Sequence, residues 1–126
     1  MISGIGIDLV TISRIQKVYE RFGTRFEKRI LHPIEQAQLV KHSKPIHFLA
    51  KRFAVKEAAL KALGTGERGG ILFKDVYVQH DNLGKPHLKT DGKALQHCQQ
   101  MQINCMHVSI SDEGDQVAAF VVCEIN

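Results

Sequence analysis

The chain has 126 residues, 44% of them hydrophobic and 24% charged, with no Trp and a formal net charge of +4. That length suits a single domain, 1–126, able to bury a real core, and no apolar run is long enough to make a membrane-spanning helix. The positive balance favours an acidic partner (nucleic acid, a phosphorylated ligand or an acidic protein) without choosing among them.

Residues 2–10 alternate small and branched side chains and are predicted to form a first strand, interrupted by Gly4 and Gly6. The N-terminus has no basic segment and no long apolar stretch, so it does not read as a signal peptide. Thr11 or Ser13 can cap a helix running to about Phe22, with Gly23 as its stop. Short helices are expected around 25–31 and 33–41, the second with Pro33 in its first turn. Pro45 suits the start of a long helix ending at Leu63, and residues 64–72 are glycine-rich and loop-like. Asp75–His80 and Pro86–Thr90 read as a hairpin around Asp81-Asn82-Leu83-Gly84, with Val76 and Val78 on one face. Lys93–Gln102 is predicted helical. Met106–Ser111 and Gln116–Glu124 are predicted strands around the turn Asp112-Glu113-Gly114-Asp115. Helices and strands mix without regular βαβ alternation, which argues an α+β fold with a small antiparallel sheet.

The long helix carries the densest information. At 100° per residue Phe48, Leu49, Ala59, Leu60 and Leu63 form one broad apolar face, and Arg52 and Lys56 fall inside it. Glu57 and Lys61 fall on the other side among Ala50, Ala54 and Ala58. A helix apolar nearly all round is buried, so its charges need partners and mark either a site or a tight ion pair. The alanine row also leaves room for a bulky ligand beside the backbone. Glu57 precedes Lys61 by four residues, the favoured order for a solvated helical ion pair, worth only ~0.3–0.5 kcal/mol. Asp8, at the end of the first strand, reads either as a turn or capping residue or as a carboxylate for a metal. Asp8 and Glu57 together supply the oxygen donors that Mg²⁺ prefers, provided the fold brings them together. Gly64-Thr65-Gly66 reads as a helix cap or as backbone that cradles phosphate; it is not a Walker motif.

The seven histidines show no HExxH and no paired ligand spacing, so no zinc site is expected. His107 alternates with Val108 and Ile110 and reads as a hydrogen-bonded sheet residue or a ligand contact. The three cysteines, Cys98, Cys105 and Cys123, are widely spaced with no CxxC and read as reduced core thiols of a cytosolic protein. In the first helical region Ile12, Ile15, Tyr19, Phe22 and Phe26 repeat at helical spacing. Arg14, Lys17, Arg21, Arg25 and Lys28 repeat about 200° away from them. That second row is either an ordinary solvated face or a docking surface for an acidic partner.

Ile5-Gly6-Ile7-Asp8-Leu9-Val10, followed by Ile12 and Arg14-Ile15, resembles the N-terminal signature of the holo-[acyl-carrier-protein] synthase family. The segment Phe48-Leu49-Ala50 to Gly64-Thr65-Gly66, with Arg52, Lys56, Glu57 and Lys61 inside it, resembles that family's second and more specific signature. His107–Ser111 and Ala118–Glu124 match in kind and order, so the likeness spans the chain. Asp112 departs from it, since many members carry His there.

The resemblance implies the 4′-phosphopantetheinyl transferase fold. It also implies transfer of the phosphopantetheine arm of coenzyme A to a serine of apo acyl carrier protein, releasing adenosine 3′,5′-bisphosphate. It further implies Mg²⁺ dependence, a homotrimer with active sites between subunits, and a cytoplasmic role in fatty acid biosynthesis within lipid metabolism. Asp8 and Glu57 are then the metal ligands, Lys61 the phosphate contact and Glu57 a candidate base. Arg52, Gly64, Thr65, Gly66 and His107 are expected at coenzyme A, and Arg14, Lys17, Arg21, Arg25 and Lys28 at the carrier protein. The nearly all-round apolar helix 46–63 is further support for assembly, being more than a small domain easily buries alone. A basic RNA-binding module would use the same cationic row, but the chain lacks an RNP-type aromatic motif, and no nucleic-acid partner is expected. A non-catalytic carrier-binding protein would not need Asp8, Glu57 and Lys61 together.

Overall fold

A computed structural model describes residues 1–126. Strand β1 (Ile2–Thr11) leads into helices α1 (Ile12–Phe22), α2 (Thr24–Ile30), α3 (Pro33–Val40) and α4 (Pro45–Leu63). Two short 3₁₀ turns, Arg68–Gly70 and Phe73–Asp75, precede the hairpin β2 (Val76–His80) and β3 (Pro86–Thr90). Helix α5 (Gly92–Gln100) and the hairpin β4 (Cys105–Glu113) and β5 (Gln116–Glu124) complete the chain. An antiparallel sheet of order β1-β5-β4 carries α4 on one face, and β2-β3 form a separate ribbon. This is the α+β arrangement expected from the element order.

The sheet and α4 meet through small residues. Ala50, Ala54 and Ala58 are fully buried, and Ala62 nearly so. A Cβ on Gly6 would collide with the carbonyl oxygen of Ala58, and one on Gly4 with that of Ala62. The alanine row is therefore filled by the chain's own first strand, not by a ligand, because two glycines let backbone lie directly on backbone. This corrects one expectation and removes the reason that α4 gave for assembly: a single chain buries that helix almost completely. The uncovered apolar surface lies on the opposite side of the sheet. Ile5, Ile7 and Leu9 are 61%, 62% and 63% exposed there, and Phe120 beside them 41%.

The buried charges of α4 find a partner that periodicity did not indicate. Glu35 of α3 has no exposed surface, and its Oε1 accepts from Lys56 Nζ at 2.5 Å and from the His32 N–H. Its Oε2 accepts from the Val78 N–H at 3.0 Å and lies 3.3 Å from Arg52 Nε without hydrogen-bond alignment. Lys56 also donates to the Val76 and Phe73 carbonyls. One carboxylate thus ties α3, α4 and β2 together. Burial lowers the pKa of both Lys56 and Arg52, with Glu35 opposing the shift.

Helix α1 begins at Thr11 without a side-chain cap. Asp115 of the β4–β5 turn holds that end instead, accepting from the Ser13 N–H at 3.0 Å and from Ser13 Oγ at 2.6 Å. Gly23, at φ 56°, separates α1 from α2 as predicted. The chain turns there, which leaves Phe22 exposed rather than on the core side with Ile12 and Ile15. The expected turn 112–115 shrinks to Gly114-Asp115, since Asp112 and Glu113 pair with Val117 and Gln116.

Candidate active site

Asp8 sits within β1 opposite Ala119, three residues before the strand ends, so neither capping nor turn formation explains it. Strand alternation turns it to the helix-covered face with Gly6 and Val10, and its side chain is only 17% exposed. Lys61, in the last turn of α4, reaches across: its Nζ donates to Asp8 Oδ1 at 3.1 Å and to the Ile7 carbonyl at 2.9 Å. The helical pair anticipated between Glu57 and Lys61 gives way to this contact between segments 53 residues apart. Glu57, one turn earlier on α4, is half-buried. Desolvation first, and then the charge of Asp8, hold its carboxyl pKa above the usual value, with Glu67 adding to the effect and Lys61 opposing it.

The three residues therefore converge, as the sequence could not guarantee. Glu57 and Lys61 line a cleft of about 360 Å³ with Gly64, Gly66, Glu67 and Phe73. Glu57, Glu67 and Phe73 also border a groove of about 480 Å³ that runs to Phe22, Arg25 and Phe26. Gly64 adopts φ 79° and its N–H bonds to the Leu60 and Lys61 carbonyls, a left-handed helix cap that glycine meets without strain. Thr65 lines a neighbouring cleft of about 400 Å³ with Arg68 and Lys93, two cations that the motif reading missed.

The remaining expected coenzyme A residues lie apart. Arg52 stands twelve residues before Gly64, roughly 18 Å along the helix at 1.5 Å per residue. Its guanidinium is engaged by Glu35 and Gln38 and stacks on Phe48, with ring centroid 4.4 Å away. It borders a different cleft, of about 650 Å³, with Lys51, His80 and Ser109. His107 is on the outer sheet face, where its Nε2 lies 3.1 Å from Glu124 Oε1. Asp112 lies 3.8 Å from Lys51 Nζ. Within one chain, neither Arg52 nor His107 joins the glycine turn.

All five cations of the predicted row, Arg14, Lys17, Arg21, Arg25 and Lys28, are exposed. The guanidinium groups of Arg21 and Arg25 lie 5.2 and 5.9 Å from the centre of the exposed Phe22 ring. The misplaced aromatic thus belongs to the basic surface.

The donors at Asp8 and Glu57 fit a hard divalent cation. They are carboxylate oxygens from two rigid elements; desolvation and, after it, the charge of Asp8 raise the Glu57 pKa, and a cation relieves that repulsion. Lys61 already places a positive charge against Asp8.

Residues 4–121 match the family model of the 4′-phosphopantetheinyl transferase superfamily, and the chain belongs to that family. It is 50% identical to the holo-[acyl-carrier-protein] synthase of Photorhabdus laumondii subsp. laumondii, with 98% of both chains covered. Its fold is similar to the crystal structure of holo-[acyl-carrier-protein] synthase from Neisseria meningitidis. That match has a TM-score of 0.94 and 44% identity, over 98% of this chain and 99% of that one. It is also similar to the Helicobacter pylori enzyme solved in complex with coenzyme A, at TM-score 0.82 and 32% identity over 95% and 99% of the two chains.

Proposed function

We propose that this chain, as one 4′-phosphopantetheinyl transferase domain over 1–126, transfers the phosphopantetheine arm of coenzyme A to a serine of apo acyl carrier protein. The observation that carries the reading is the meeting of Asp8, Glu57 and Lys61 from distant segments beside one cleft. The serine oxygen forms a new bond to the phosphorus that bears the pantetheine arm. The bond from that phosphorus to the adenosine-bearing phosphate breaks, and adenosine 3′,5′-bisphosphate leaves with the bonding pair. Glu57, whose carboxyl holds a proton to higher pH than usual, is placed to accept the serine proton directly or through a water. Lys61, fixed by the Ile7 carbonyl and Asp8, offsets charge that builds on the phosphoryl oxygens. Asp8 and Glu57 would hold Mg²⁺, which when bound supplies further neutralisation of phosphate charge. Incubation with coenzyme A, Mg²⁺ and apo carrier protein should add the mass of phosphopantetheine to the carrier. An unchanged carrier mass would refute the assignment.

Coenzyme A is assigned to Gly64, Thr65 and Gly66 together with Arg52 and His107. Their separation within one chain is accounted for if the site forms between subunits. A homotrimer is proposed, with the sheet face of Ile5, Ile7, Leu9 and Phe120 as its contact, since apolar area of that kind is stabilised by burial. Light scattering should return three times the 14.1 kDa chain mass. Ile7→Lys should lower that mass, and an unchanged trimer in Ile7→Lys would remove this face from the interface. A cytoplasmic role in fatty acid biosynthesis is proposed along with these substrates. No helix is long and apolar enough to cross a membrane.

The cationic row with Phe22 is assigned to the acidic carrier protein; Phe22 and Arg25 line the groove that leads to Glu57. Each exposed ion pair contributes only ~0.2–1 kcal/mol, so the effect comes from the row. Reversing Arg14 and Arg21 to Glu replaces two attractions by repulsions. The kcat/KM for carrier protein should then fall roughly tenfold or more, at ~1.4 kcal/mol per decade, with the KM for coenzyme A unchanged. Wild-type kcat/KM for the carrier should also fall with NaCl, because such contacts are screened beyond about 8 Å at physiological ionic strength. Equal losses for both substrates would make this face a plain solvated surface.

A further inference from the structure

We propose that Cys105, His107 and Glu124 form a binding site for a thiophilic divalent cation, with Zn²⁺ the ion their chemistry fits best. Strand register assembles the three. Cys105 pairs directly with Glu124 across the β4–β5 ladder, and His107 follows two residues later on the same face. His107 Nε2 is 3.1 Å from Glu124 Oε1, and Cys105 Sγ is 3.9 Å from His107 Nδ1. One ligand atom from each residue lies within 4.8 Å of the others.

Zinc bonds of about 2.0–2.3 Å in a tetrahedron set ligand atoms roughly 3.4–3.6 Å apart. An ion takes only one of the two His107 nitrogens, so the cluster needs to draw in by roughly 1.2–1.4 Å at most, which rotation of the exposed His107 and the half-exposed Cys105 and Glu124 supplies. Thiolate, imidazole and carboxylate together suit zinc and not magnesium, which prefers an all-oxygen shell. Three protein ligands leave the fourth position open. Binding exchanges the thiol proton of Cys105 and the His107–Glu124 hydrogen bond for bonds to the ion.

The proposed site departs from the expectation that the histidines hold no zinc site, because β-strand neighbours across a ladder leave no spacing motif along the chain. The reading of Cys105 as a core residue is corrected by its exposure. Cys98 and Cys123 are buried, and burial raises both thiol pKa values, that of Cys123 to about 11, whereas Cys105 is half-exposed on the outer face. The cluster lies across the sheet from Asp8, which points to the helix side, so the two sites are separate; it shares the outer face with the proposed trimer contact, on the β4 side of that face. A cation here also withdraws His107 from coenzyme A; that consequence alone rests on the function proposed above.

The test is direct binding to the full chain. Zn²⁺ in competition with a chromophoric chelator should load one ion per chain, undiminished by excess Mg²⁺. Co²⁺ in its place should show a thiolate-to-metal charge-transfer band. Cys105→Ser should abolish the band, and Cys105→Ser or Glu124→Gln should each weaken Zn²⁺ by at least about 10- to 100-fold, a loss seen even for residues that only orient a ligand. The double variant Asp8→Asn/Glu57→Gln should keep both stoichiometry and band, which separates this site from failure of the proposed magnesium site. No thiolate band in the wild type, or a band that persists in Cys105→Ser, overturns the proposal.

Discussion

Lys56→Met should destabilise the fold by roughly 3–5 kcal/mol, the cost of removing one partner from a buried ion network, out of a typical total of about 5–15 kcal/mol. The ammonium has no exposed surface and donates to Glu35 and to the Val76 and Phe73 carbonyls. Methionine fills nearly the same volume but leaves the Glu35 carboxylate with Arg52 as its sole cation. Burial depresses the Lys56 pKa despite Glu35, so the pair does not recover the full cost of leaving water. Its value is geometric: it fixes the rotation of α4, and Glu57 follows Lys56 directly. Adding Glu35→Gln to Lys56→Met should destabilise the fold further, because it leaves the buried Arg52 guanidinium without its carboxylate. Urea midpoints measure all three chains. A Lys56→Met loss below about 1 kcal/mol, the level of an ordinary hydrogen bond, would show that water or repacking satisfies Glu35.

What the sequence carried well was whatever is local. Pro45 and Gly64 bound α4 at the residues expected, Gly23 separates α1 from α2, and Val76 and Val78 share a buried face. Each follows from backbone freedom or a two- or four-residue period. What it could not carry was which surface covers which. The alanine row of α4 looked open to a ligand because Gly4 and Gly6, which lie against it, are some fifty residues away in sequence. Glu35 closes a capping box on α3, its Oε1 accepting the His32 N–H, yet the same carboxylate neutralises Arg52 and Lys56. Periodicity placed Arg52 and Lys56 in an apolar face and so required a partner, but nothing along the chain named it. Glu57 and Lys61 had ideal helical spacing, yet Lys61 prefers Asp8, held against α4 by the glycines of β1. The residues alone made Asp8, Glu57 and Lys61 candidates and the family signatures gave them roles; the geometry supplies a reason for their joint occurrence.

Asp8→Asn and Glu57→Gln should each lower the transfer rate by at least roughly 10²–10³-fold, the loss of about 2.7–4 kcal/mol found when one electrostatic group of a reaction site is removed. Neither should unfold the chain. Glu57 is the informative case, because its stability effect has the opposite sign to its effect on rate. Its folded pKa lies above the ordinary 4.5, so the fold favours the protonated form. Ionised Glu57 therefore destabilises the metal-free fold. That cost is fully present above the folded pKa and disappears as pH falls below the unfolded one. Glu57→Gln removes it, so at pH 7 without Mg²⁺ the variant should melt above the wild type while transferring almost nothing. Mg²⁺ should raise the wild-type Tm more than that of the variant. The acid limb of wild-type kcat/KM should lie above the usual glutamate range and move to lower pH as Mg²⁺ rises, since a cation beside the carboxyl favours its charged form. Lys61→Met should reduce kcat more than it raises the KM for coenzyme A, because the lysine acts on charge that develops in the transition state. Near-wild-type turnover of Asp8→Asn or Glu57→Gln at limiting Mg²⁺ would remove the carboxylate pair from the reaction. A pure KM effect at Lys61 would reassign it to ground-state binding.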